Sequence, residues 1–240
     1  MSFTEEQLDF AVRLADVAAG RRKADVVLKN AAYLDVFSVC VRRGDIAVCG
    51  GKIAGVGEYE GEVEYDFGGK IVTPGLIDGH MHIESTQLSP EEFATLAVPR
   101  GTTLVVADPH EIVNVCGLAG ARYISRAAAR TPLEVKLMLP SCVPATPFET
   151  SGAVLGAAET AKAIGQKTFF GLGEMMNYPA IAAGEREVLA KMVAAAAAGK
   201  PADGHAPRMT GRELNAYVVS GAVADHECAT PEEAEEKISK

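Results

Sequence analysis

Pro74-Gly75-Leu76-Ile77-Asp78-Gly79-His80-Met81-His82 decides the fold. An apolar strand runs into a bend that Gly79 relieves, and the bend carries both histidines. Residues two apart on a strand share a face, so His80 and His82 point to one place and can hold one divalent ion. A His-x-His pair alone is weak, because histidines are commonly satisfied by ordinary hydrogen bonds. A pair delivered by an apolar strand into a glycine-relieved bend is far more specific.

On the C-terminal side the chain alternates apolar strands with Ala-rich helices. The expected strands are Ile71–Ile77, Thr103–Ala107, Glu134–Leu139, Thr168–Leu172, a short one before Gly204, and Ala222–Ala224. Repeated β-then-α at this spacing implies parallel strands, since a parallel pair needs a crossover that a helix supplies. Met192–Ala198 followed by Gly199 and Pro201 reads as a helix end with its cap and breaker in place. All five histidines fall at the C-terminal ends of the expected strands: His80 and His82, His110, His205 and His226. Glu174 closes the fourth. Catalytic groups in parallel β/α folds gather at that edge, whereas scattered core histidines have no reason to share it.

On the N-terminal side, residues of about 5–19 read as a helix, with Thr4 and Gln7 at capping-box spacing. Short β runs follow, and Gly50-Gly51 between two alternating segments signals a hairpin whose turn needs positive φ. The expected organisation is a helix over 1–23, a partial β-sandwich segment over 24–70 and a β/α segment over 71–240.

Composition narrows the partners. The 240 residues carry 23 Lys+Arg against 32 Asp+Glu, a net charge of −9. That balance disfavours polyanions, so neither nucleic acid nor an anionic membrane is expected. No apolar run is long enough to span a bilayer, and no secretory signal is visible, so a cytoplasmic protein is expected. The five cysteines are scattered without C-x-x-C spacing, which argues against disulfides and thiolate zinc sites. Cys116, Cys142 and Cys228 are expected to be small buried hydrophobes.

The acids near the strand ends have two readings. Asp108-Pro109-His110-Glu111 is either a turn into a helix N-terminus, where acids are favoured, or a wall in which Asp108, His110 and Glu111 bind substrate or relay protons. Glu84 and Glu227 are further candidates, Glu84 for substrate and Glu227 for catalysis.

These strings resemble the amidohydrolase superfamily of metal-dependent hydrolases, whose barrel opens with a P-G-x-I-D-x-H-x-H segment after a β-sandwich piece. Asp45-Ile46-Ala47-Val48 and Gly51-Lys52-Ile53-Ala54-Gly55-Val56-Gly57 are similar to its sandwich hairpin. Five strings narrow the resemblance to the bacterial-type adenine deaminase branch: His80-Met81-His82-Ile83-Glu84-Ser85, Asp108-Pro109-His110-Glu111-Ile112, Gly171-Leu172-Gly173-Glu174-Met175-Met176-Asn177, Asp203-Gly204-His205-Ala206-Pro207 and Asp225-His226-Glu227.

The resemblance implies an α/β fold, a (β/α)8 TIM-type barrel, truncated here after about six strands. It implies that His80, His82, His205 and His226 are metal ligands and that Glu174 bridges a binuclear divalent site. Mn2+ or Fe2+ is expected there and Zn2+ is an alternative. Catalytic roles fall to Glu174, Glu227 and Glu111, and the implied reaction is hydrolysis of adenine to hypoxanthine and ammonia in purine salvage, by a homo-oligomeric enzyme. The family pattern also has an aspartate after an eighth strand. A full barrel takes about 250 residues, so an N-terminal portion of a longer enzyme is expected. Another purine or cyclic amide as substrate, or a non-catalytic metal-binding fragment, are the alternatives.

Overall fold

A computed structural model describes residues 3–146 and 148–240, in two compact units divided after Pro74. In the first, α1 (Glu5–Ala18) begins at the expected capping box: Thr4 Oγ1 accepts the Gln7 N–H at 3.2 Å and Gln7 Oε1 accepts the Thr4 N–H at 2.9 Å. The sheet comprises β1 (Ala24–Asp35), β2 (Cys40–Cys49), β3 (Lys52–Gly57), β4 (Gly61–Asp66) and β5 (Ile71–Val72). Its order is β3-β2-β1-β4, and β5 runs parallel to the later part of β1. Gly50 and Gly51 make the β2–β3 turn at φ 55° and 74°, the positive values expected of them. Val17, Val27, Ala47 and Cys49 form the buried centre.

The second unit runs β6 (Leu76–Met81), α2 (Pro90–Ala97), β7 (Thr102–Ala107), α3 (His110–Cys116), α4 (Leu118–Ala128), β8 (Glu134–Leu139), α5 (Ala157–Ile164), β9 (Gly171–Met175), α6 (Tyr178–Ala182), α7 (Arg186–Ala197), β10 (Ala202–Gly204), α8 (Gly211–Val219) and α9 (Pro231–Ile238). The strands lie in sequence order, all parallel. Helix residues such as Ile124, Ile164, Met192 and Leu214 share one core with Val105, Leu137, Leu139 and Leu172 of the strands.

The sheet is curled. Neighbouring strands sit about 4.8 Å apart, so in a flat sheet β6 and β10 would be separated by about 19 Å. Yet His80 of β6 and Asp203 of β10 share a hydrogen bond of 2.7 Å. Only a half-barrel brings opposite edges that close, and it converges the C-terminal strand ends on one interior point.

Four expectations change. The strand expected over Ile71–Ile77 is two, because Ile71–Val72 joins the first sheet and β6 opens the second; Pro74 between them has no N–H for a ladder. The fourth barrel strand lies at Gly171–Met175, which puts Glu174 inside it. The sheet has five strands among the described residues, not six: Ala222 makes one isolated parallel bridge with Ala202, because three-residue β10 offers no longer template. Cys142 is buried as expected, but Cys116 and Cys228 are exposed.

Candidate metal centre

Glu174 is held from its backbone outward. Because residue 173 has no side chain, Asp108 reaches the strand and its Oδ2 accepts the Glu174 N–H at 3.0 Å. Ser141 Oγ donates to the Glu174 carbonyl at 2.5 Å. Buried Tyr217 donates to the Met175 carbonyl and accepts the His205 N–H, both at 2.9 Å. Lys191 steadies Ser141 in turn, its Nζ donating to the carbonyls of Ser141 at 2.7 Å and Leu155 at 2.8 Å.

The two oxygens of this carboxylate, which is 3% exposed, face different imidazoles. Oε1 lies 3.1 Å from His110 Nδ1, 3.5 Å from His82 Nε2 and 4.0 Å from His80 Nε2. Oε2 lies 2.7 Å from His205 Nδ1 and 3.2 Å from His226 Nε2. Burial alone would raise the pKa of Glu174, but His110, His205 and His226 hold it far below the usual carboxylate range.

The far nitrogens of the first two histidines are anchored. His80 Nδ1 is bonded to Asp203 Oδ2 and His82 Nδ1 to the Asp108 carbonyl at 2.8 Å. Their Nε2 atoms meet 3.2 Å apart. Two donors on one tetrahedral ion at 2.0–2.1 Å would lie about 3.4 Å apart, so the pair has the spacing of ligands to one ion. A ring fixed through one nitrogen and free at the other is the usual arrangement of a metal-binding histidine.

Burial opposes charge on His110, but Asp108 and Glu174 beside it more than offset this and lift its pKa to about 10. Its Nδ1, despite its closeness to Glu174, makes no aligned hydrogen bond. Glu111 accepts from Ser85 Oγ at 2.7 Å through Oε1, while its buried Oε2 has no hydrogen-bond partner and lies 3.7 Å from His82 Nδ1. Glu84 sits behind it and accepts the Ile112 N–H at 3.2 Å; burial and the nearby Glu111 push its carboxyl up to about 7. At the other end of the cluster Glu227 Oε1 is 3.8 Å from His226 Nε2. For His226, burial opposes charge and Glu174 outweighs it, so its pKa is raised.

The curled sheet therefore brings together His80, His82, His110, Glu111, Glu174, His205, His226 and Glu227. Asp108 stands differently from a pocket-lining residue, being 1% exposed with its carboxylate against the β9 backbone. Asp203 was not among the expected site residues, yet it anchors His80. A signal was available: Asp203 and His205 are two apart at a strand end, the spacing that singled out His80 and His82. Four groupings have donor atoms close enough for one ion: His80–Glu174–His226, His82–His110–Glu111, His205–His226–Glu227 and Asp108–His110–Glu174. Imidazoles and carboxylates with unpartnered buried donor atoms fit a divalent metal.

The chain also resembles known proteins. The chain is 52% identical over 228 residues to adenine deaminase 2 of Desulfotalea psychrophila and 49% identical over 230 residues to the adenine deaminase of Ligilactobacillus salivarius. Each match covers 95% of this chain and 40% of the relative, so the chain spans about two fifths of those proteins. Among solved structures, N-acyl-D-glutamate deacylase from Bordetella bronchiseptica, complexed with zinc and a phosphonate inhibitor, superposes with a TM-score of 0.61 at 17% identity, over 91% of this chain and 55% of that one. A beta-aspartyl dipeptidase from Fervidobacterium islandicum gives 0.54 at 17% identity, over 91% and 62%. These two likenesses concern the fold alone. The profile of the amidohydrolase family matches residues 71–239, the whole half-barrel from just before its first strand to the end of its last helix. The chain belongs to the amidohydrolase family.

Proposed function

We propose that this chain carries the metal-holding part of an aminohydrolase that converts adenine and water to hypoxanthine and ammonia. The observation that carries the reading is Glu174, whose two oxygens face separate sets of imidazoles, as a carboxylate shared by two cations requires. The choice of adenine as substrate is supported by relatives of about 50% identity that bear the name adenine deaminase.

In this reading His80, His82 and Glu174 would hold one divalent ion, and His205, His226 and Glu174 would hold the other. A bound pair of such ions lowers the pKa of water and supplies hydroxide near neutral pH. The rest belongs to the chain. Glu174 stays ionised and fixed, so it reorganises little as charge develops at purine C6. Glu111 and Glu227 flank the cluster at its two ends and, with side chains more than two fifths exposed, are placed to take a proton from the attacking water and return it to the departing nitrogen. Glu84, which sits behind Glu111 and is fixed by the Ile112 N–H, is the residue we assign to the purine ring.

Manganese or iron is the ion we propose, with zinc the alternative, since imidazole and carboxylate ligands suit all three. We place the reaction in purine salvage, in a cytoplasmic homo-oligomer. No helix among the described residues is long and apolar enough to cross a membrane.

The test is ammonia release from adenine, measured for the manganese-loaded chain and for the same chain joined to the part of the Desulfotalea psychrophila relative outside the match. Metal-dependent conversion to hypoxanthine in either supports the reading. Hydrolysis of guanine or dihydroorotate with none of adenine would replace the substrate, and two intact proteins that bind no divalent ion would overturn the site.

A further inference from the structure

The last helix, α9, packs on the loops that carry two of the site histidines without contributing a ligand. Lys237 has three N–H donors and spends all of them on the loops that carry His205 and His226 or on their support: the Ala206 carbonyl at 2.7 Å, Asp225 Oδ2 at 2.8 Å and Glu233 Oε1 at 2.6 Å. Asp225 joins the two loops directly, with Oδ2 accepting the Ala206 N–H at 3.1 Å and Oδ1 the Glu227 N–H at 2.8 Å. Glu233 closes the frame by accepting the Arg208 N–H at 2.7 Å and the Ala229 N–H at 2.9 Å. The side chains of Lys237, Asp225 and Glu233 are 8%, 10% and 4% exposed.

Their contacts fall at 206 and 208, directly after the first histidine, and at 225, 227 and 229, on both sides of the second. An ordinary surface ion pair at i, i+4 touches its own helix and contributes little. This one is buried and, besides the Asp225 carboxylate, bonds the backbone of both loops at residues 206, 208 and 229.

We propose that Lys237, with Asp225 and Glu233, is a positioning residue that sets the separation of His205 and His226 and so the affinity of the metal position those imidazoles form with Glu174 Oε2. The proposal rests on the two-position reading of the site. Two imidazoles on separate loops bind one ion tightly only if their nitrogens are held at ligand spacing beforehand, and changes at such supporting groups cost about 10- to 100-fold in metal affinity. The His80–His82 position has its own anchors, Asp203 and the Asp108 carbonyl, and meets the frame only where His80 stacks on His226 with ring centroids 3.5 Å apart.

The experiment is a cobalt(II) titration of the metal-free chain, followed by visible absorption and by metal content after desalting. Wild type is compared with Lys237→Met, which keeps the length of the side chain and removes its donors, and with Asp225→Asn. Glu236→Ala, on the same helix but bonded to Gly211, is the control. We expect one of the two binding steps to shift by about 10- to 100-fold in Lys237→Met, less in Asp225→Asn, and not at all in Glu236→Ala, while the other step shifts far less. Loss of both steps in equal measure, in proteins with native circular dichroism, would mean general loosening and overturn the proposal, as would two unchanged steps. Asp225→Asn decides the matter by itself if Lys237→Met does not fold. Wild type binding no cobalt at all would instead refute the two-position reading on which the proposal stands.

Discussion

Replacing Gly173 by alanine should damage both the half-barrel and its site through one oxygen atom. A Cβ there would lie 2.1 Å from Asp108 Oδ2 and 2.6 Å from its Cγ, against an ordinary contact of 3.4 Å or more. Asp108 is 1% exposed and has no solvent to swing into, so its carboxylate must retreat by about 1.3 Å. That stretches its bond to the Glu174 N–H from 3.0 Å past any hydrogen-bonding distance. Overpacking of a rigid interior costs about 1–3 kcal/mol, and loss of a hydrogen bond to a charged acceptor about 1.5–3 kcal/mol. Together they make roughly 3–6 kcal/mol, a large fraction of the 5–15 kcal/mol on which such a domain typically stands. With urea slopes of about 1–3 kcal/mol per molar, the midpoint should fall by at least about 1 M. The assay is equilibrium urea unfolding of the metal-free proteins, followed by circular dichroism. A fall under about 0.3 M at unchanged slope would show that Asp108 moves freely, and the account of how β9 aims Glu174 would be wrong.

Other perturbations test neighbouring parts of the structure. Glu174→Gln should reduce bound metal from two ions to at most one, because a neutral amide cannot serve two cations; mass-spectrometric metal analysis showing two tightly held ions would contradict the shared role. Lys191→Met should destabilise the second unit by about 1–3 kcal/mol, since the carbonyls of Ser141 and Leu155 lose their donor, and thermal unfolding would measure it. In the first unit, the Ser38 hydroxyl and N–H, the Arg42 guanidinium and the Phe37 N–H hold Asp35 down to about 2 from an ordinary 3.8. A depressed carboxylate pKa stabilises above the unfolded value and ceases to do so as pH falls through the folded one. Wild type should therefore exceed Asp35→Asn in stability at pH 5 and lose that margin between pH 4 and pH 2, as acid titrations of the two would show.

Much of this arrangement could be read from the residues because it rests on short-range rules. The Gly50-Gly51 turn, the Thr4–Gln7 cap and the β/α alternation after residue 71 follow from local geometry, and the histidines mark strand ends because apolar runs stop there. What escaped reading depends on distant partners. Nothing near Asp203 says that a residue from the opposite edge of the sheet lies 2.7 Å away. Ala222–Ala224 has the composition of a strand but finds only the short β10 to pair with. Asp108 looks like a helix-capping or substrate-facing acid until the missing side chain at Gly173 shows what it packs against. Nothing near the Glu-rich end of the chain says that Glu233 and Lys237 are buried charges.

The bond between His80 and Asp203 also has a kinetic meaning. It joins residues 123 positions apart, on the first and last strands of the curled sheet, so its native geometry depends on every strand between them. Local hairpins and helices close loops of ten or so residues quickly, whereas contacts of large sequence separation come late. Competence to bind an ion at the sheet's C-terminal edge is thus acquired at the end of folding, and a partly ordered chain does not present the finished set of donors to compete for the ion.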